Sequence, residues 1–270
     1  MTKEEATALA AIRATYVSLD GWRVRCRSVE RPEAGSELAG DEGVWPYMDP
    51  AEVARQGLAS TTQHLNLARV AVEAGEVFPT AHYSVLRGGL VGACMAVWVL
   101  GPDVASDRQQ RALRIVDEFY RRALQHHDYV RPLVDEHHPE VPPWIDSGEH
   151  MRRRMKEARL RWTSAQDLTE KEALNVTSVI DVVSRDVFDP SEALEVRLLW
   201  RQMSGDAHAL TWQLIGRSQS YRDAGAGMAE FAAGGDLVQL ADAFDKVFRL
   251  ASRGWSLFDR RCEGGPSSAN

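Results

Sequence analysis

The sequence predicts an all-α protein, a helical bundle of about seven to eight helices with no sheet. Apolar residues recur at helical spacing through most of the long segments. Asp49-Pro50 and Asp189-Pro190 each place a capping carboxylate before a proline, a typical helix start. No segment shows strand-like alternation, and we assign even the β-branched stretch 176–183 to a helix.

The first half of the chain predicts three helices and one irregular segment. A helix over 3–18 is followed by an irregular N-terminal segment, 20–49, which is rich in glycine, proline and charge. Asp49 caps a helix to about residue 74, and Pro79 opens another to about residue 100. This last helix is rich in glycine and alanine, so we expect a neighbouring backbone to approach it closely.

A long loop rich in histidine and proline, 127–148, divides the chain into two helical halves. Residues 264–270 are predicted to be a disordered tail. The whole chain, 1–270, is predicted to form a single helical domain. The remaining helices are predicted at 104–126, 149–161, 169–184, 189–218 and 236–253.

Composition predicts a soluble, cytoplasmic protein. The chain is 44% hydrophobic and 26% charged, as in ordinary globular domains. Its net charge of −7 argues against a surface devoted wholly to nucleic acid, although a local basic site is compatible with it. Three widely separated cysteines favour free thiols. We expect no membrane span, because the apolar run 90–100 is short, and no signal peptide.

A short polar stripe in the 189–218 helix is the main candidate for chemistry. Arg201 and His208 are seven residues apart, close to two helical turns, and Ser204 lies between them. A guanidinium can hold a phosphate, and an imidazole that titrates near neutrality can move a proton. The pair therefore fits a phosphate-binding, acid/base site, and Leu199, Met203, Leu210 and Leu214 are expected to form the core side.

At these residues the chain resembles the HEPN superfamily of all-helical proteins, marked by an arginine, four to six residues, and a histidine. Here six residues separate Arg201 from His208, and Gln202 follows the arginine. The stretch 83–91, which carries Arg87 before two glycines, is also similar to helical proteins of that group. The resemblance covers about two helices. It implies a metal-independent endoribonuclease of toxin or defence type, a homodimer, RNA as substrate and no cofactor, with Gln202 and Ser204 beside the substrate.

A basic segment follows the long loop. On a helix, Arg152, Lys156 and Arg159 share one side and could bind the phosphate backbone of RNA. The alternative is a solvated face paired with acidic residues of the preceding loop. The histidines of that loop have poor spacing for a metal, so no metal site is predicted.

A second function is an alternative. The chain would then be a non-catalytic helical protein that binds a protein partner or itself. The two hypotheses differ in what they require of His208. Catalysis requires the imidazole to be exposed to solvent, whereas a purely binding function allows it to be buried.

Overall fold

The fold is given by a computed structural model that describes residues 1–133, 141–163, 173–210, 212–218 and 220–264. Most of these residues are helical, which confirms the predicted mainly α-helical class. The helices are α1 (Lys3–Ala14), α2 (Tyr16–Arg25), α3 (Glu37–Asp41), α4 (Pro50–Glu73), α5 (Ala81–Leu100), α6 (Ala105–Val130), α7 (Val141–Trp162), α8 (Val176–Val187), α9 (Pro190–Ala207), α10 (Trp212–Gly216) and α11 (Leu237–Cys262). Short 3-10 turns lie at Glu42–Val44 and Arg131–Leu133.

The expectation of a sheet-free fold is wrong. Two strands, β1 (Ser220–Gly225) and β2 (Met228–Ala232), form an antiparallel hairpin with mostly exposed residues. Ala226 and Gly227 form its two-residue turn, and both have positive φ, the geometry that suits the twist of a hairpin. The short strands lack a buried apolar face, so their sequence carries no alternating pattern.

The chain divides into two compact units. Unit 1 consists of Met1–Arg31, Arg55–Trp98 and Thr177–Arg260, and unit 2 of Pro32–Ala54, Val99–Val176 and Arg261–Asn270. Each unit is therefore built from three separate segments of the chain.

Close approach of α4 and α5 organises the core of unit 1. A Cβ atom at Gly57 would lie 2.6 Å from the carbonyl oxygen of Gly92, and one at Gly92 would lie 2.5 Å from that of Gly57. The Thr61 hydroxyl lies 2.9 Å from the carbonyl oxygens of both Gly57 and Gly89, so it can donate to either helix. This contact confirms the prediction that the small residues of α5 admit a neighbouring backbone.

Helix α5 is also the most apolar helix of the chain. It is long and apolar enough to cross a membrane by length and composition, and 67% of its apolar window is buried within the protein. Core helices of water-soluble proteins satisfy the same criterion.

Buried arginines with ionic partners hold unit 2 together. Arg108 is 2% exposed, and its Nε donates to Asp41, which is equally buried, at 2.8 Å. Arg261 is 1% exposed and donates to the carbonyl oxygen of Leu100 and to Asp103. A buried charge is costly unless it is paired, so these pairs fix the segment around α3.

Two predicted irregular segments, 20–49 and 127–148, differ from the structure. The predicted irregular segment 20–49 contains the end of α2 and all of α3, because Ser36 caps α3 by accepting from the backbone N–H of Ala39. The long loop 127–148 is shortened from both sides, since α6 continues to Val130 and α7 begins at Val141. Residues 134–140 and the tail 265–270 lie outside the described residues.

Candidate functional site

A cleft between α8 and α9 in unit 1 contains the predicted Arg201. Its volume is about 440 Å³, and it is lined by Thr177, Ser178, Ile180, Asp181, Leu194, Arg197, Leu198, Trp200 and Arg201. The lining combines apolar side chains with two arginines and one carboxylate. It can therefore hold an anionic ligand that also carries apolar or aromatic groups.

Polar contacts fix the two helices that form this α8–α9 cleft. The Trp200 indole N–H donates to the Thr177 hydroxyl at 3.2 Å, and Arg197 donates to Asp181 at 2.8 Å. At the start of α9, Asp189 accepts from the backbone N–H groups of Ser191 and Glu192, as its predicted capping role requires. The cleft is thus built on helices tied to each other.

Arg201 is exposed at the edge of the α8–α9 cleft. Among the described residues it has no hydrogen-bond or ion-pair partner, whereas the neighbouring Arg197 is paired with Asp181. Gln202 is half-buried and likewise lacks a described partner. The guanidinium of Arg201 is thus free to bind an anion.

His208 is exposed, but it does not lie inside a helix as predicted. Helix α9 ends at Ala207, and His208 is its C-cap. The N–H of Ala209 donates to the carbonyl of Asp206 and that of Leu210 to the carbonyl of Gly205, a Schellman arrangement. Ala209 has a φ of +55°, in the region that favours glycine. The helix 189–218 was extended too far because this glycine signal is missing from the sequence.

The predicted core side of the 189–218 helix is confirmed only for residues before α9 ends at Ala207. Leu199 and Met203 are buried, whereas Leu210 is 54% exposed because the chain has already left the helix.

Ser204 is not free to bind substrate. Its hydroxyl donates to the carbonyl oxygen of Trp200 at 2.9 Å and accepts from Nε of Arg87 at 3.3 Å. The Arg87 guanidinium also stacks on the Trp200 ring, 4.6 Å from its centroid. Ser204 therefore links α9 to α5 instead of completing a polar stripe with Arg201 and His208.

A buried polar cluster that the sequence did not reveal holds the end of α9. The Asp206 carboxylate accepts from Arg217 and from the side-chain amide of Gln213, and Arg217 also donates to the carbonyl of Pro79. The Arg217 guanidinium lies 3.5 Å from the centroid of the Tyr83 ring. Burial raises the pKa of Asp206, while Arg217 and Gln213 act against that rise. Because Asp206 is two residues before His208, the cluster fixes the turn that exposes the imidazole.

The predicted basic face lies on α7, in unit 2. Lys156 is exposed, and Arg152 is 3.4 Å from Asp128, a weak and exposed contact. Arg159 is buried and donates through Nε and Nη2 to Asp117 at 3.2 and 3.0 Å. The guanidinium of Arg159 thus neutralises an internal carboxylate, so only Arg152 and Lys156 present their charges to solvent.

Potential metal ligands do not converge in the part of the chain that the structure describes. There, no group of three or more histidine, cysteine, aspartate or glutamate side chains could hold a metal ion. His126 and His127 lie on α6, where His127 stacks on Trp144 at 3.7 Å between ring centroids. His137 and His138 lie outside the described residues.

Comparisons with known proteins give no match: no family model, no curated protein and no solved structure is significantly similar to this chain. The functional argument therefore depends on the geometry of the chain's own residues.

Proposed function

We propose that this chain is a HEPN-like, metal-independent endoribonuclease of toxin or defence type, located in the cytoplasm, in which Arg201 and His208 act on RNA. The observation that carries the proposal is that both side chains are exposed and have no ionic partner among the described residues. Exposure of His208 is the condition that separates catalysis from a purely structural histidine.

The two residues have complementary roles in this reaction. The neutral imidazole of His208 removes the proton from a ribose 2′-hydroxyl, and the 2′-oxygen attacks the adjacent phosphorus. Arg201 donates to the phosphate oxygens, whose negative charge grows as the transition state forms. The bond to the 5′-oxygen breaks, and that oxygen takes up a proton. The products carry a 2′,3′-cyclic phosphate and a 5′-hydroxyl.

The spacing of the two residues suits this chemistry. Arg201 lies on α9 and His208 is its C-cap seven residues later, which corresponds to roughly 10 Å of axial rise, a separation that a long arginine side chain and a bound phosphate can bridge. Gln202 follows Arg201 and can donate its amide to the substrate. Ser204 and Arg159 are left out of the proposed RNA contacts because both are bound within the protein. Arg152 and Lys156 remain in the proposal as phosphate contacts.

A homodimer belongs to the same proposal. One copy supplies one histidine, but cleavage needs a base for the 2′-hydroxyl and an acid for the leaving oxygen. A second copy would supply the second imidazole in the opposite protonation state. The leucines that line the α8–α9 cleft, Leu194 and Leu198, are about half exposed and offer an apolar surface beside Arg201 for this association.

The test is cleavage of end-labelled single-stranded RNA in the presence of EDTA. We expect the wild type to cut and His208→Ala to lose at least about 100-fold in rate, the low end of a general-base contribution. Arg201→Ala is expected to lose a similar factor, and the products should end in 2′,3′-cyclic phosphate.

Matched controls come from exposed residues of the same type in unit 2. His126→Ala and Arg153→Ala remove an exposed imidazole and an exposed guanidinium without touching the proposed site. Both should cut at the wild-type rate. Equal rates for His208→Ala and the wild type would refute the catalytic assignment.

A non-catalytic binding protein is the second candidate function. The observation in its favour is a run of exposed apolar side chains near the end of α9 and on α10, namely Leu210, Trp212 and Ile215. Such a surface fits a protein partner. Absence of RNA cleavage together with capture of a defined partner that Trp212→Ala abolishes would favour this function.

A further inference from the structure

A strip of half-buried residues on α5, in unit 1, brings together two polar groups that the proposed reaction does not use. His64 of α4 lies against the strip at Gly88, and Trp200 of α9 lies against it at Arg87. The strip is therefore flanked by α4 and α9. We call it the α5 strip and define it by positions i, i+3, i+4, i+7 and i+11, namely Ser84, Arg87, Gly88, Val91 and Met95.

The imidazole of His64 presents a hydrogen-bond acceptor at the α5 strip. Its Nδ1 lies 2.7 Å from the carbonyl oxygen of Ser60, which can only accept, so Nδ1 carries the proton. Nε2 is then the acceptor, and it has no hydrogen-bond partner among the described residues. A Cβ atom at Gly88 would lie 2.3 Å from Nε2, so the glycine is what admits the ring against α5.

The guanidinium of Arg87 presents donors beside this acceptor. Its Nε donates to the Ser204 hydroxyl at 3.3 Å, and its plane stacks on the Trp200 ring, so its orientation is fixed. Within the part of the chain that the structure describes, Arg87 has no carboxylate partner. Four of the five N–H donors of this guanidinium are thus left for a ligand.

The two groups together suit a ribonucleotide. A guanidinium binds a phosphate, and a ring nitrogen without a proton accepts from a hydroxyl. Because His64 lies on Gly88, the residue after Arg87, one ligand can reach both groups if its anion and its hydroxyl are a few bonds apart. A nucleotide of RNA meets this condition with its phosphate and its ribose 2′-hydroxyl, whereas a nucleotide of DNA lacks the hydroxyl.

We propose that the α5 strip binds a nucleotide that flanks the cleaved bond and thereby selects RNA over DNA. This inference rests on the proposed function, since it takes single-stranded RNA as the ligand. Arg87 binds the phosphate of the flanking nucleotide, and Nε2 of His64 accepts from its 2′-hydroxyl. Trp200, on which Arg87 stacks, immediately precedes Arg201, so a strand held by Arg201 can continue onto α5.

The test is the binding of a short fluorescein-labelled single-stranded RNA, and of the same sequence with 2′-deoxyribose sugars, to His208→Ala. Fluorescence anisotropy at about pH 8, where an imidazole is neutral, gives both affinities without cleavage by the proposed base. We expect the RNA to bind about fivefold more tightly than the deoxy strand, the factor that corresponds to one net hydrogen bond.

Substitutions of the two groups, made in His208→Ala, have different expected effects. His64→Ala should weaken RNA binding about fivefold and leave binding of the deoxy strand unchanged, which also shows that the fold is intact. His64→Gln keeps an acceptor and should retain part of the preference for RNA. Arg87→Gln should weaken both strands equally, by about tenfold, and should reduce the salt dependence of binding by about one phosphate contact.

The matched control is His126→Ala, which removes an exposed imidazole of α6 in unit 2 and should keep the preference for RNA. Equal affinities for the two strands, no binding of either, or an equal loss for both in His64→Ala would overturn this inference. RNA cleavage by the wild type together with equal affinities would overturn it alone and leave the nuclease standing. A preference that depends on His64, without cleavage, would support it and count against the nuclease.

Discussion

At the scale of single residues, Ala209 is the least favourable position in the turn that carries His208. Its φ of +55° is left-handed, where the Cβ of an alanine crowds the backbone. Most Schellman turns place glycine there. The strain is adjacent to the proposed catalytic base, where such costs are often retained for function.

Ala209→Gly is therefore expected to stabilise the protein. Relief of the left-handed strain should raise the free energy of unfolding by about 1 kcal/mol, partly offset by the greater freedom of glycine in the unfolded chain. Urea denaturation followed by circular dichroism would measure it. The control is Ala207→Gly at the last residue of α9, which carries no left-handed strain and should not stabilise the protein. A loss of stability in Ala209→Gly would contradict the assigned turn.

The turn at Ala209 and the contacts around it show why the candidate site could be predicted only in part. The spacing of Arg201 and His208 placed both on the exposed side of α9, but no local signal ended the helix before His208. Asp206 and Arg217 lie eleven positions apart across a turn and a helix break, so their pairing depends on tertiary contact. Arg159 shares a helical face with Arg152 and Lys156, yet Asp117, from another helix, withdraws it from solvent.

At the scale of elements, helix starts were predictable because they are local. The carboxylates of Asp189 and Asp236 each cap a helix by accepting hydrogen bonds from the backbone N–H groups two and three positions later. The β1–β2 hairpin was not predictable from alternation, since its strands are exposed on both faces. The small residues of α5 predicted that a neighbouring backbone would approach this helix closely. They did not predict that the neighbour would be α4.

Gly92→Ala tests that contact. The added methyl group would meet backbone oxygen and the Thr61 hydroxyl within 2.7 Å, and the backbone cannot rotate away. We expect a loss of about 1–3 kcal/mol in the free energy of unfolding, more than the helix propensity gained. Gly21→Ala is the control, since nothing lies within 4 Å of its Cβ position in α2. It should stabilise by up to about 1 kcal/mol. Equal effects of the two substitutions would refute the close approach.

A second element contact, between α1 and α4, predicts a dependence on pH. Arg13 donates to both carboxylate oxygens of Glu73, and the Tyr16 hydroxyl donates to one of them at 2.7 Å. These bonds, the one from Arg13 above all, lower the pKa of Glu73 from 4.5 to about 2. Because the folded pKa is depressed, this contribution to stability is present above 4.5 and is lost as the pH falls towards 2.

Carbon NMR titration of the Glu73 carboxyl group would check this expectation. The midpoint should lie near 2 in the wild type and should rise in Arg13→Gln, which removes the charged donor. A midpoint unchanged by the substitution would show that Arg13 does not hold the carboxylate.

At the scale of the whole molecule, the proposed endoribonuclease requires self-association. Leu198→Glu places a charge on the half-exposed surface beside Arg201, where it should oppose docking of a second copy while leaving the fold intact. We expect the wild type to sediment as a dimer and the variant as a monomer without RNA cleavage. Val17→Glu, at an 86% exposed position in α2, should remain dimeric. A wild type that stays monomeric at high concentration would contradict the composite site.

The assembly of each compact unit from distant segments is a feature of the whole molecule that local sequence patterns do not reveal. Each unit gathers three segments that are distant along the chain. Helix periodicity shows which face of a segment is buried, but not which distant segment covers it.

The reciprocal packing of Gly57 and Gly92 also constrains how this protein can diverge. Each glycine leaves room for the carbonyl oxygen of the other, so a side chain at either position is excluded by a backbone atom that the other helix cannot withdraw. A larger residue can therefore replace either glycine only if the way in which α4 and α5 cross also changes. Distant relatives should keep glycine at both positions, with a threonine four residues after the first, even where surface residues such as Arg201 and His208 have been replaced. The interior of this chain would then record its ancestry more durably than its proposed active site.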